Sequence, residues 1–290
     1  MSHEIERAAE LLRAGRLVAF PTETVYGLGA NALDPAAVQR IFDAKGRPLS
    51  SPLIVHVDSI GMARELASQW PEAAEKLARR FWPGPLTIVV PKQPTVPDIV
   101  TAGLPSVGLR IPAHPVAIAL LQAAKIPLAA PSANRFMQLS PTTAEHVRSG
   151  LGHAVAMILD GGPCSIGIES TVISFAGSMP KILRPGMISQ PDIEAVIGPV
   201  DIGGGLESPG QHPRHYSPRT PVLLGGSPQQ GRGVRLDFTN MPSTPGAYAE
   251  RLYSLLHDLD ERGLDWIAIE MPPDTPDWAG VRDRLHRAAA

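Results

Sequence analysis

The segment "AKGRPLSSPLIVHV", residues 44–57, sets two cations, Lys45 and Arg47, either side of a glycine and just ahead of the apolar run Leu53-Ile54-Val55. His56 interrupts that run. Similar groups recur at other junctions: Thr22 and Thr24 in "PTET", Ser132 and Asn134 in "PSAN", Ser170 in "GIEST" and Arg184 in "LRPG". In open α/β sheets the loops at strand ends form the ligand crevice. Guanidiniums, an ammonium, hydroxyls and an amide gathered there are the donors a triphosphate needs. Singly, each residue could be a helix cap, a turn residue or solvated surface; their shared kind of location argues for a site.

Two residues pose separate questions. Arg110, in "VGLRI", enters a strand that is apolar on both sides. Its charge must be paired, either by Glu23 or Glu169 or by a substrate carboxylate. His56 in "LIVHV" is either a satisfied core histidine or a general base. Two further patterns carry less. Gly27, Gly29 and Ala32 in "YGLGANA" match the G-x-G-x-x-A of dinucleotide sites, but "PTETVY" intervenes after the strand and the next helix starts only at Asp34-Pro35. His212 and His215 in "HPRH" lack a third ligand and make a poor zinc site. No P-loop sequence is present.

The elements that must position these groups alternate. Helices are expected at about 3–14, 35–44, 59–69, 71–81, 114–124 and 142–149, and strands at "RLVAF", 53–57, "LTIVV", "VGLRI", "PLAA" and "AVAMILD". "TVISF" and "KILR" follow with only a turn between them, which argues an α/β fold with a mixed sheet. From about 201 the glycine- and proline-rich "GGGLESPGQHPRHYSPRTP" reads as a linker. Beyond it lies a small α/β unit with strands "VLL", "GVRLDF" and "WIAIE" and two helices, too small to be stable without docking on the first domain. The expected division is 1–200, a linker at 201–219, and 220–290.

Bulk properties narrow the classes. A net charge of -2 over 290 residues gives no general field for nucleic acid or membrane, so any anion must be held locally. The single cysteine, Cys164, excludes an intramolecular disulfide framework. The acidic "MSHEIERAAELL" does not read as a leader, and "PVAIALLQAAKIP" is too short to span a bilayer. A cytoplasmic protein is expected. Proline, 31 of 290 residues against an average of roughly 5%, concentrates between elements, where it stiffens loops.

Read in order, "FPTETVYGLGANA", "AKGRPLSSPLIVHV", "FWPGPLTIVV", "VGLRIPAHP", "AAPSAN", "SPT", "GIESTVI" and "LRPG" resemble the threonylcarbamoyl-AMP synthase family, from about residue 8 to 195. The tail resembles the longer, two-domain branch. The resemblance implies a YrdC-like open twisted mixed sheet plus a small C-terminal α/β domain. It implies a synthase that joins L-threonine, bicarbonate and ATP, with magnesium carried on the ATP phosphates, for tRNA threonylcarbamoyladenosine. Its signature tetrad corresponds to Lys45, Arg47, Ser132 and Asn134. It places Arg47, Ser51, Ser132, Ser140, Arg184 and Tyr216 at ATP, and Thr24, His56, Ser106, Arg110, the backbone at Ala130, and Ser170 around threonine, with the linker folded over the site. The expected partners are these substrates and a downstream tRNA-modifying transferase complex, with direct tRNA binding weak or absent. The alternative is an RNA-binding or ribosome-associated YrdC-like protein without turnover. Two departures stand out: Gln211 and Pro213 occupy linker positions where the family reads differently, and only "GGSPQQGR" separates the first two strands of the second domain.

Overall fold

The computed structural model describes residues 2–203, 216–226 and 230–290. Helix α1 (Ser2–Arg13) leads into β1 (Val18–Phe20), which pairs antiparallel with β2 (Gly27–Asn31). The segment "GLGAN" is therefore a strand, not a phosphate-binding turn, and the dinucleotide pattern is coincidental. A Cβ on Gly29 would lie 2.8 Å from Cε1 of Phe20, so glycine is needed there for strand packing.

Helix α2 (Pro35–Lys45) starts where expected, with Asp34 accepting from the Ala36 N–H and Pro35 in the first turn. It ends in a left-handed residue, Gly46 at φ 62°, while the Arg47 N–H donates to the Phe42 carbonyl at 3.1 Å. This cap is what aims the two cations: Lys45 closes the helix and Arg47 leaves it on the reversed chain. After β3 (Ile54–His56) come α3 (Ile60–Leu66), α4 (Glu72–Phe81), β4 (Leu86–Pro91), a short α5 (Asp98–Thr101) and β5 (Ser106–Arg110). The chain continues through α6 (Pro115–Ala124), β6 (Leu128–Ala129), α7 (Ala144–Leu151), β7 (Met157–Ile158), β8 (Thr171–Ser174), β9 (Lys181–Arg184) and α8 (Gln190–Ile197). Asp201–Ile202, which composition assigns to the linker, forms β10 beside β9.

Among the described residues these strands make one mixed sheet in the order β10-β9-β8-β4-β5-β3-β6-β2-β1-β7. Strands β3 and β5 run parallel with His56 opposite Arg110, which sets those two side chains at one sheet end. The remaining elements are β11 (Val222–Leu224), β12 (Gly233–Leu236), α9 (Pro245–Asp260), β13 (Trp266–Ile269) and α10 (Ala279–Ala289). They form a parallel three-stranded sheet, β11-β13-β12, with its helices. One buried cluster unites this unit with the first: Val25, Leu139 and Ile168 pack with Leu252, Leu256, Val281 and Leu285. The small unit thus completes its core on the larger one, as its size requires.

Candidate active site

Lys45 and Arg47 are both buried, yet no carboxylate forms a salt bridge with either among the described residues. The Lys45 ammonium donates to the Ser132 carbonyl at 2.5 Å and to the Asn134 carbonyl, and lies 3.4 Å from Asn134 Oδ1. Burial, reinforced by the charge of Arg47 and only partly offset by Glu169, holds its pKa well below the usual lysine value. Arg47 donates to Ser51 Oγ at 2.5 Å and to the Pro52 carbonyl at 3.0 Å, and burial pushes it down to about 10. The Phe136 N–H donates to the Lys45 carbonyl, and Asn134 Nδ2 donates to the carbonyls of Arg135 and Gln138. The "KGR" turn and the "PSAN" loop are therefore fastened to each other as one wall.

Opposite stands the end of β5. Arg110 donates to the Gly84 carbonyl at 3.1 Å and to Thr24 Oγ1 at 3.0 Å, and its remaining nitrogen lies 2.7 Å from Glu23 Oε1. Of the two partners open to it in the sequence, Glu23 is the one observed. The Ala113 N–H occupies the other Glu23 oxygen at 2.9 Å. Thr22 Oγ1 donates to the Val25 carbonyl, so in the 2.8 Å contact between the threonines the Thr24 hydroxyl is the donor. His56 is pushed down to about 3, first by burial and then by the charge of Arg110, and is neutral at pH 7. Its Nδ1 is buried without a hydrogen-bond partner, and its ring meets Phe20 edge-on at 6.0 Å.

The third wall joins β8 and β9. Arg184 donates to the Ser170 carbonyl at 3.1 and 3.0 Å, to Ser170 Oγ at 3.2 Å and to the Tyr216 hydroxyl at 3.4 Å. Thr87 Oγ1 and Ser170 Oγ are 2.8 Å apart. Ser140 Oγ donates to Glu169 Oε1 at 2.5 Å.

These walls line a cleft that opens to solvent. Of the residues expected at the site, Thr24, Arg47, His56, Arg110, Ala130, Ser132, Ser170, Arg184 and Tyr216 line it. Lys45, Ser51, Asn134 and Ser140 stand behind the lining, each bonded to the wall as described. Ser106 is not brought to it. Ser106 opens β5 while Arg110 ends it, four residues and about 13 Å along the strand, and its buried hydroxyl has no partner. Ser106, expected beside threonine, thus lies away from the cleft lining. Thr22 and Glu169 also line the cleft. Glu169 figures in the sequence only as a partner for Arg110, although its place beside Ser170 in "GIEST" is a usable signal. His212, His215, Gln211 and Pro213, and with them most of the linker expected to cover the site, lie outside the described residues.

The fold and cleft define an α/β protein whose one cleft brings together Arg47, Arg110 and Arg184 with hydroxyl side chains. Two family models cover nearly the whole chain: "Telomere recombination" (Sua5, YciO and YrdC) matches residues 10–186, and "Threonylcarbamoyl-AMP synthase, C-terminal domain" matches residues 188–290. Threonylcarbamoyl-AMP synthase of Bacillus subtilis is 43% identical in an alignment covering 99% of this chain and 93% of the relative. The Pyrococcus abyssi protein of the same name is 40% identical over 99% of this chain and 94% of its own. The crystal structure of P. abyssi Sua5 complexed with L-threonine matches at a TM-score of 0.94 with 39% identity, over 100% of this chain and 95% of that one. The chain belongs to the threonylcarbamoyl-AMP synthase family.

Proposed function

We propose that this protein is a threonylcarbamoyl-AMP synthase, an adenylyl-transferring enzyme acting on L-threonine, bicarbonate and ATP. The observation that carries the reading is the joining of Arg47, Ser132 and Arg184 with Arg110, His56 and Thr24 in one cleft. The first set suits a triphosphate and the second an amino acid. Threonine's amine combines with bicarbonate to give a carbamate and water; a carbamate oxygen then attacks the α-phosphorus, and pyrophosphate leaves. Nucleophile and electrophile are both anionic, so the protein's contribution is positioning and charge neutralisation.

In this reading Lys45, Arg47, Ser132 and Asn134 surround the phosphates and the reacting carbamate, and Ser51, Ser140, Arg184 and Tyr216 support the nucleotide. Arg110 turns its guanidinium to the threonine carboxylate, with Thr24, His56, Ser170 and the Ala130 backbone enclosing the rest. Neutral His56 serves as a hydrogen-bonding contact, not as a charged group. Magnesium enters as the ATP complex. Among the described residues no group of three His, Cys, Asp or Glu side chains could hold a metal, and the cleft carboxylate Glu169 is already bonded to Arg284. Phosphate oxygens and water would supply its ligands.

The proposed organisation is a catalytic unit at 1–200 whose sheet extends through β10 into the expected 201–219 linker, and a C-terminal unit at 220–290. We place the enzyme in the cytoplasm, feeding a tRNA-modifying transferase complex; no helix among the described residues is long and apolar enough to cross a membrane. Purified protein given ATP, magnesium and bicarbonate should release pyrophosphate only when threonine is added. Folded protein showing no threonine dependence would refute the reading.

A further inference from the structure

Glu169 is the one carboxylate among the described residues lining the cleft. A carboxylate there attracts the same cations that a polyphosphate needs; Lys45 already feels its charge. Yet Glu169 forms its salt bridge elsewhere. Arg284, on α10 of the C-terminal unit and wholly buried, sets Nε 2.7 Å from Glu169 Oε2 and donates to the Glu169 carbonyl at 3.1 Å. Tyr253, on α9, adds its hydroxyl to the same oxygen at 3.1 Å. The guanidinium also donates to the Pro185 carbonyl at 3.1 Å, so one side chain ties the residue before Ser170 to the residue after Arg184. Asp283 lies 2.5 Å from Arg284 and is bonded in turn by Arg287 at 3.0 Å. Burial opposes the charge on Arg284, but Glu169 and Asp283 outweigh it and hold that guanidinium above its ordinary pKa.

We propose that Arg284 is a positioning residue for nucleotide binding: by neutralising and holding Glu169, it keeps this carboxylate from competing with phosphate for the cations of the cleft. The C-terminal unit is then part of the nucleotide site. The inference rests on the synthase reading, and it assigns Arg284 a role apart from fastening two units together. A fastening residue would matter whatever the charge at 169; a neutralising residue matters only while Glu169 is there.

The test measures ATP and threonine affinity by calorimetry, with magnesium present, in full-length wild type, E169Q, R284M and E169Q/R284M. R284M should weaken ATP by about tenfold or more and threonine by less than about threefold. In the E169Q background the same substitution should cost less than about threefold in ATP affinity. An equal loss in both backgrounds, or unchanged ATP affinity in folded R284M, would overturn the proposal. Removing one member of a buried pair can prevent folding. If R284M does not fold, E169Q against E169Q/R284M decides alone, and a tenfold loss between them overturns the proposal. Wild type that binds ATP but makes no pyrophosphate with threonine counts against the synthase reading and leaves the Arg284 comparison valid. Wild type that binds no ATP overturns both.

Discussion

The Lys45 ammonium lies 2.5 Å from the carbonyl oxygen of Ser132, so the cation of the "KGR" turn is docked on the loop that bears the other half of the expected tetrad. Backbone carbonyls satisfy its protons without cancelling its charge. Any phosphate that reaches this wall meets a lysine whose charged form is disfavoured until an anion arrives.

That state predicts proton uptake. Burial holds the pKa of Lys45 well below the usual lysine range, and phosphate oxygens would raise it again, so between the two values ATP binding takes up a proton. ATP affinity should therefore fall as pH rises through that window. Calorimetry in buffers of different ionisation heats, at pH values stepped down from the usual lysine range, measures the uptake directly. Lys45→Met should abolish it and weaken ATP by about 10- to 100-fold; the absence of uptake in wild type across that range would contradict the account.

Arg110 predicts a split between substrates. Lys at this position keeps a charge for Glu23, 2.7 Å away, but loses the planar fork that reaches Thr24 and the Gly84 carbonyl. Arg110→Lys should raise KM for threonine by about tenfold or more and change KM for ATP by less than about threefold. Equal effects on both substrates would remove Arg110 from the threonine pocket.

What could be read in advance followed from local rules. The helix ending at Lys45 is marked by its Asp34-Pro35 start and by Gly46, and the gathering of hydroxyls and cations at strand ends follows from how α/β sheets present loops. Strand β2 was hidden because "GLGAN" lacks the branched and aromatic residues that signal a strand. Ser106, placed at threonine only by the family resemblance, stands a whole strand of five residues away from Arg110. The Glu169–Arg284 pair spans 115 positions, and nothing local in "VRDRLHRAAA" distinguishes Arg284 from its neighbouring arginines. Only the docking of the small unit brings the two together.

Gly29 tests the strand reading of "GLGAN". A methyl group there would lie 2.8 Å from the Phe20 ring and 3.3 Å from the Val18 carbonyl, and Phe20 is fully buried against His56. Gly29→Ala should destabilise the protein by about 1–3 kcal/mol, read from urea unfolding. The displaced ring should raise KM for threonine more than KM for ATP. A substitution neutral to stability would mean that the sheet does not constrain this position.

His56 sets how the fold responds to acid. Its pKa is about 3 in the folded protein, lowered by burial and then by Arg110, against about 6.5 in an unfolded chain. Between those values the unfolded state binds the extra proton, so stability rises with pH. The contribution is fully present above about pH 6.5 and is lost progressively as pH falls toward 3, at a slope approaching about 1.4 kcal/mol per pH unit. His56→Gln removes the titration and keeps a polar side chain. Its unfolding free energy should fall less steeply with acid than that of wild type, the two curves converging by about 2 to 3 kcal/mol between pH 6.5 and 4.5. His146, pushed down to about 4 by burial and then by His257, titrates in both proteins and cancels in the comparison. Parallel curves would show that His56 takes up a proton within the folded cleft, and the imidazole could then no longer be assigned to threonine as a neutral contact.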